Sequence, residues 1–179
     1  MTSSTNIILI GFMGSGKTSI GKRLASVFKY DFLDTDELIA KKAGMPIREL
    51  IEQQGEKTFR KLETEVLEKL SDKKNYIIST GGGMILSSKN QELLPQLGTL
   101  LWLHASPDIL FERAQRNPHH RALLDVEHPR RTFHQLLTAR LLLYEALSHV
   151  KVDTTALSYH QTIDAITSAI HEHWSTPLS

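Results

Sequence analysis

At 179 residues the chain fits one domain, spanning 1–179, that can bury most of its apolar surface without disulfides or a structural metal. Its 21 lysines and arginines nearly cancel its 20 aspartates and glutamates, and the formal charge of +1 excludes bulk attraction to nucleic acid or an acidic membrane, so any basic site must be local. There is no cysteine, which excludes a disulfide framework and thiolate metal sites; the N-terminal MTSSTN has no basic segment ahead of an apolar stretch, and no apolar run approaches the roughly 18 residues of a membrane span. A soluble cytoplasmic protein is expected, acting as a monomer on small molecules, with no nucleic acid and no membrane among its partners.

Strand-length apolar runs alternate with helical patterns. The candidate strands are Asn6 to Ile10, Tyr30 to Leu33, Tyr76 to Ser79, Thr99 to Leu103 and Val150 to Val152. Near-continuous apolar strands suit a parallel sheet covered on both faces. Phe59, Leu62, Val66, Leu67 and Leu70 share one face of a helix that begins near Gly55, and further helices are read from about Arg131 to Ser148 and from Tyr159 to Trp174. The alternation predicts an α/β doubly wound domain of five parallel strands with helices on both faces, whose ligands sit at the C-terminal ends of the strands.

The first strand runs into Gly11-Phe12-Met13-Gly14-Ser15-Gly16-Lys17-Thr18, which fits G-x-x-x-x-G-K-S/T. Glycines let successive backbone N–H groups turn inward around phosphate oxygens, and the following helix offers the positive end of its dipole. Lys17 then reaches the β- and γ-phosphates and Thr18 ligates magnesium. A plain glycine-rich turn is the alternative, but the strand before the motif and the amphipathic helix after it (Ile20, Leu24, Ala25, Phe28) supply the context of a nucleoside triphosphate site.

The second strand ends in Asp34-Thr35-Asp36-Glu37 and should lie beside the phosphate loop. Asp34 and Asp36, two apart on an extended backbone, would then point into the ligand crevice together. One carboxylate can hold magnesium through its water shell; the other can accept a hydrogen bond from a substrate hydroxyl and take its proton. Helix capping is the competing reading, and it explains one acid better than two. The third strand ends in STGGGMI, where Gly81, Gly82 and Gly83 expose bare backbone that can touch the phosphate acceptor, or form a tight turn.

Arg60 and Arg140, the latter with Tyr144 one turn on, would define an anionic acceptor if they converge, because guanidinium forks match carboxylates. Arg60 also has Glu56 and Glu63 within helical reach for ordinary surface pairing. Between Arg116 and His128 the chain loses periodicity, as functional lids do, and Arg121 there can swing onto a transferring phosphoryl group. His119 and His120 stand beside it with no acidic cluster and read as solvated.

The phosphate loop, Asp34-Thr35-Asp36, Phe59-Arg60 with Glu63, Gly81-Gly82-Gly83, Arg121-Ala122-Leu123-Leu124 and Arg140 with Tyr144 occur in an order that closely resembles shikimate kinase over nearly the whole chain. The resemblance implies a P-loop NTPase of the nucleoside-monophosphate-kinase-like type with a mobile lid at about 116–128. It implies phosphorylation of the 3-hydroxyl of shikimate with ATP and Mg²⁺, in aromatic amino-acid biosynthesis. Gly14, Ser15, Gly16, Lys17, Thr18 and Ser19 then hold the ATP phosphates, and Thr18 with Asp34 serves magnesium. Asp36 resembles the residue that binds the acceptor hydroxyls as base or orienting group, Gly82 supplies a backbone contact, Arg60 and Arg140 look like the carboxylate clamp, and Arg121 like the lid arginine that contacts ATP. The family's usual lid reads Arg-Pro-Leu-Leu where this chain has Ala122. Some members carry an arginine after the last strand to cover the adenine; residues 154–158 offer none, leaving Arg113 to cover one face. A kinase for another hydroxy acid such as gluconate, and a nucleotide-gated binding module without transfer activity, are the rival readings.

Overall fold

The computed structural model describes residues 5–116, 124 and 126–176. In chain order these form β1 (Asn6–Ile10), α1 (Lys17–Phe28), β2 (Asp31–Asp34), α2 (Thr35–Ala43), α3 (Ile47–Lys69), β3 (Tyr76–Ser79), a 3₁₀ turn (Met84–Leu86), α4 (Ser88–Leu97), β4 (Gly98–His104), α5 (Pro107–Arg116), α6 (Pro129–Leu147), β5 (Val150–Asp153) and α7 (Tyr159–Ser175). The five strands are parallel, in the order β2-β3-β1-β4-β5.

Every residue of β1 is buried, because helices cover both faces of the central strand. On one face Ile7, Leu9, Ile77, Leu101 and Leu103 pack against Ile20 and Leu24 of α1 and Ile163, Ile166 and Ile170 of α7. On the other, Ile8, Ile10, Ile78, Leu100 and Trp102 meet apolar side chains of α2 through α6. The period of two along each strand therefore feeds two separate cores.

Three expectations shift. β2 is not the neighbour of β1: β3 lies between them, with Asp34 in register with Ser79 and Ser79 with Leu9. A helix does begin just after Gly55, as expected, but a further helical stretch from Ile47 precedes it, and Gly55, at φ 82° and ψ 159°, is the kink between the two. Asp36 is not on the strand; β2 ends at Asp34, and Asp36 belongs to the first turn of α2.

The end of the sheet away from the phosphate loop is tied by Asn6, which is fully buried. Its amide donates to the carbonyls of Lys73 (2.8 Å) and Leu97 (2.9 Å), and its side-chain oxygen accepts from the Tyr76 N–H (3.0 Å). One side chain thus stitches the loops that enter β3 and β4 to the start of β1. Asn6→Ala leaves these backbone groups without partners and should lower the unfolding free energy by about 2–4 kcal/mol. Urea denaturation measures this, and the KM values of the folded fraction should not move.

Candidate active site

β1 delivers the phosphate loop at the C-terminal edge of the sheet. Gly14 and Gly16 have φ near +83° and +84°, and a Cβ on Gly14 would stand 2.2 Å from the Leu110 carbonyl of α5. No side chain fits there, so the loop lies directly against α5. Lys17 Nζ folds back over the loop, donating to the carbonyls of Gly11 (2.7 Å) and Phe12 (3.1 Å) and to Ser15 Oγ (3.3 Å). Burial lowers its pKa to about 8, against the pull of Asp36 and Asp34. Ser15 is buried under it, and Ser19 Oγ donates to the Gly16 carbonyl (3.0 Å).

Asp34 does two jobs. Its Oδ1 accepts the N–H of Asp36 (3.0 Å) and caps α2, while its Oδ2 accepts from Thr18 Oγ1 (2.8 Å). Capping and the pairing with Thr18 thus occupy one carboxylate. A hydroxyl and a carboxylate oxygen side by side are hard oxygen donors of the kind magnesium takes alongside its waters, so the pair fits that ion.

Asp36 is left with the opposite environment. Its Oδ1 is buried with no hydrogen-bond partner among the described residues. Burial raises its pKa to about 6, Asp34 adds to the rise, and Lys17 and Arg60 hold it back. The convergence of Asp34 and Asp36 comes from the cap at the start of α2 rather than from the repeat of an extended strand.

The glycine triplet is explained by what surrounds it. A Cβ on Gly81 would lie 2.6 Å from Asp36 Oδ1 and 3.5 Å from Glu63 Oε1; one on Gly83 would lie 2.7 and 2.9 Å from the terminal nitrogens of Arg60. Gly82 is less crowded, its nearest neighbour being the Gly11 carbonyl at 3.5 Å, and it works through its own carbonyl. That oxygen accepts from the Tyr144 hydroxyl (2.7 Å) and from Arg140 (3.3 Å). The Gly81 N–H is taken by Thr35 Oγ1 (3.1 Å). Arg140 and Arg60 therefore reach consecutive residues, Gly82 and Gly83, of one bare loop.

Arg60 does form the ion pairs that its helix offers, to Glu56 (2.9 Å) and Glu63 (2.8 Å). Glu63 is fully buried, its Oε1 has no partner among the described residues, and burial raises its pKa against the pull of Arg60. In the sequence Glu63 stands out as a pairing partner of Arg60 and as part of the Phe59-Arg60 motif, without a role of its own; the signal for more is its place on the apolar seam, four residues after Phe59 and four before Leu67. Arg113 stands apart, donating to Thr154 Oγ1 (2.9 Å) and the Thr154 carbonyl (3.0 Å) beyond β5. Arg121, with Ala122, His119 and His120, lies outside the described residues.

A family model described as shikimate kinase matches residues 13–171. The chain belongs to the shikimate kinase family. It is 40% identical to the shikimate kinase of Thermodesulfovibrio yellowstonii over 90% of this chain and 92% of that one, and 40% identical to that of Pelotomaculum thermopropionicum over 94% and 96%. Among solved structures, the shikimate kinase of Acinetobacter baumannii in complex with shikimate superimposes with a TM-score of 0.88 at 34% identity, covering 95% of this chain and 94% of that one. A gluconokinase from Sinorhizobium meliloti, at 18% identity and a TM-score of 0.59, shares the fold alone. The fold is thus the nucleoside-monophosphate-kinase-like α/β type common to these P-loop kinases.

The state of Asp36 has a consequence for stability. Its folded pKa of about 6 lies above the roughly 3.9 of an unfolded aspartate, so the folded chain binds the proton more tightly. This contribution is favourable at low pH and is lost as pH rises through 6. Asp36→Asn should exceed the wild type by about 2–3 kcal/mol at pH 8, with the difference shrinking toward pH 4. Ligand-free urea denaturation across this range checks it; a variant less stable than wild type at pH 8 contradicts the assignment.

Proposed function

We propose that the residues of this crevice divide the labour of shikimate phosphorylation as follows. The chain transfers the γ-phosphoryl group of ATP to the 3-hydroxyl of shikimate, with magnesium as the metal, in the pathway to the aromatic amino acids. The loop N–H groups from Gly14 to Ser19 and the N-terminus of α1 hold the phosphates, and Lys17 leaves the loop carbonyls to reach the β- and γ-oxygens. Thr18 and Asp34 hold the magnesium, which when bound neutralises phosphate charge. Asp36 accepts the hydrogen bond of the 3-hydroxyl and is placed to take its proton as the hydroxyl oxygen bonds to the γ-phosphorus and ADP departs. Arg60 and Arg140 clamp the substrate carboxylate against Gly81, Gly82 and Gly83. Arg113, fixed beside the end of β5, covers adenine, and Arg121 contacts the transferring phosphoryl group, an assignment that rests on the family resemblance. On this reading the chain acts as a single-domain monomer in the cytoplasm, where ATP is supplied. Among the described residues no helix is long and apolar enough to cross a membrane.

The observation that carries this reading is the Asp36 carboxylate: buried, unpartnered at Oδ1, and set between Lys17 of the phosphate loop and Arg60 of the clamp. A helix cap needs no such group, since Asp34 already performs that task. A binding module has no use for it either.

The test is ADP production from ATP and Mg²⁺ with shikimate, quinate or gluconate, beside Asp36→Asn. Turnover should be specific to shikimate and fall by about 10²-fold or more in the variant. Turnover on gluconate with none on shikimate would overturn the clamp. Because Asp36 must be ionised, kcat/KM should fall about tenfold per unit below pH 6. Arg60→Ala and Arg140→Ala should each raise the shikimate KM by about 10- to 100-fold, with the ATP KM within a few-fold of wild type.

A further inference from the structure

The phosphate chemistry of the loop uses backbone N–H groups and Lys17, and nothing in it calls for an aromatic side chain at position 12. Yet Phe12 is almost completely buried, at 1% exposure. Its ring meets Phe133 of α6 edge to face (5.0 Å between centroids, 80° between planes), and Phe133 meets Phe111 of α5 in the same way (5.3 Å, 77°). The ring of Phe12 also carries the Arg140 guanidinium, 5.1 Å from its centroid.

Both arginines of the acceptor site rest on a ring, Arg60 on Phe59 and Arg140 on Phe12, each 5.1 Å from the centroid, and they differ in their carboxylates. Arg60 is fixed by two carboxylates, Glu56 and Glu63. Among the described residues no carboxylate lies within 4 Å of the Arg140 guanidinium. Its polar anchors are neutral, the Gly82 carbonyl at a long 3.3 Å and the Tyr144 hydroxyl beside it. An aromatic face attracts the cation through the ring quadrupole and occupies none of its N–H donors. Carboxylate partners would spend those donors and cancel the charge. A ring therefore suits an arginine whose fork must remain available to an anionic ligand.

We propose that Phe12 is a positioning residue for the shikimate carboxylate: its ring holds the Arg140 guanidinium in the plane from which the fork takes the acid. The same residue offers its carbonyl to Lys17 (3.1 Å), so one residue of the phosphate loop holds a cation of the ATP site through its backbone and a cation of the acceptor site through its side chain. This rests on the reading of Arg140 as part of the clamp, and the two are separable by experiment.

Steady-state kinetics of wild type, Phe12→Leu, Arg140→Lys and the double variant form a cycle. Arg140→Lys alone reports on the clamp: an unchanged shikimate KM there defeats that reading, and this one with it. Given a working clamp, Phe12→Leu should raise the shikimate KM about three- to twentyfold with the ATP KM within about twofold. In the Arg140→Lys background the same change should add less than about twofold. Equal penalties in both backgrounds, or an effect confined to ATP, would show that Phe12 serves only to pack the loop. Should Phe12→Leu fail to fold, 4-fluoro- and 3,4,5-trifluorophenylalanine at position 12 keep the shape and weaken the ring quadrupole in steps. The shikimate KM should then climb with fluorine number, and a flat series would overturn the proposal.

Discussion

The acceptor crevice exists because the chain leaves β3 as bare backbone. Asp36 from α2 occupies the space a side chain at Gly81 would need, with Glu63 from α3 in contact behind it, and Arg60 occupies that of Gly83. From the far side Tyr144 and Arg140 of α6 close on the Gly82 carbonyl. Helices that belong to distant parts of the chain can therefore bring charged groups to one spot without a side chain of the sheet keeping them apart. The parallel sheet supplies the rest: β3 lies between β1 and β2, so its C-terminal end is flanked by the phosphate loop on one side and by Asp34 on the other.

That convergence is electrostatically unequal by construction. Asp34 has both oxygens satisfied, by Thr18 and by the N–H of Asp36, whereas Asp36 and Glu63 each keep a buried oxygen without a partner among the described residues. Cations offset some of this charge: Lys17 and Arg60 act on Asp36, and Arg60 bonds Glu63 directly. Yet burial dominates for both acids and raises their pKa values. Holding a carboxylate in such a place opposes folding, and the two apolar cores on either side of the sheet offset it. The result is that the Asp36 carboxyl titrates at about 6, as would suit the proton acceptor proposed for it.

How much of this can be read in the sequence depends on how local each cause is. The strands were legible because an apolar run buried on both faces is a property of the run itself, and the phosphate loop because its glycine spacing and lysine lie within eight residues. The place of Asp36 was not, since whether the chain turns helical at Thr35 depends on Asp34 turning inward to cap it. A helix does begin just after Gly55, as its apolar face indicates, whereas the stretch from Ile47 that precedes it carries no such continuous face. Phe12 and Glu63 were hidden for a stronger reason. One looks like an indifferent position in a loop and the other like a surface acid, and only α6 and the glycine backbone, far away in sequence, give them neighbours that define their work.

Those neighbours also make the acceptor clamp asymmetric. Arg60 already donates through Nε, Nη1 and Nη2 to Glu56 and Glu63, so in the proposed clamp it would bring an incoming carboxylate little net charge. Arg140, resting on Phe12 with no carboxylate beside it among the described residues, keeps its charge in a partly buried setting where Coulomb attraction is screened least. That charge also works against Lys17, whose pKa it helps to lower, so each cation raises the cost of burying the other. An anion entering between them relieves that repulsion. Arg140 is the weakest of the influences on Lys17, behind burial, Asp36 and Asp34, so the gain from the proposed ligands, phosphate toward Lys17 and carboxylate toward Arg140, would be set against the buried acids between them.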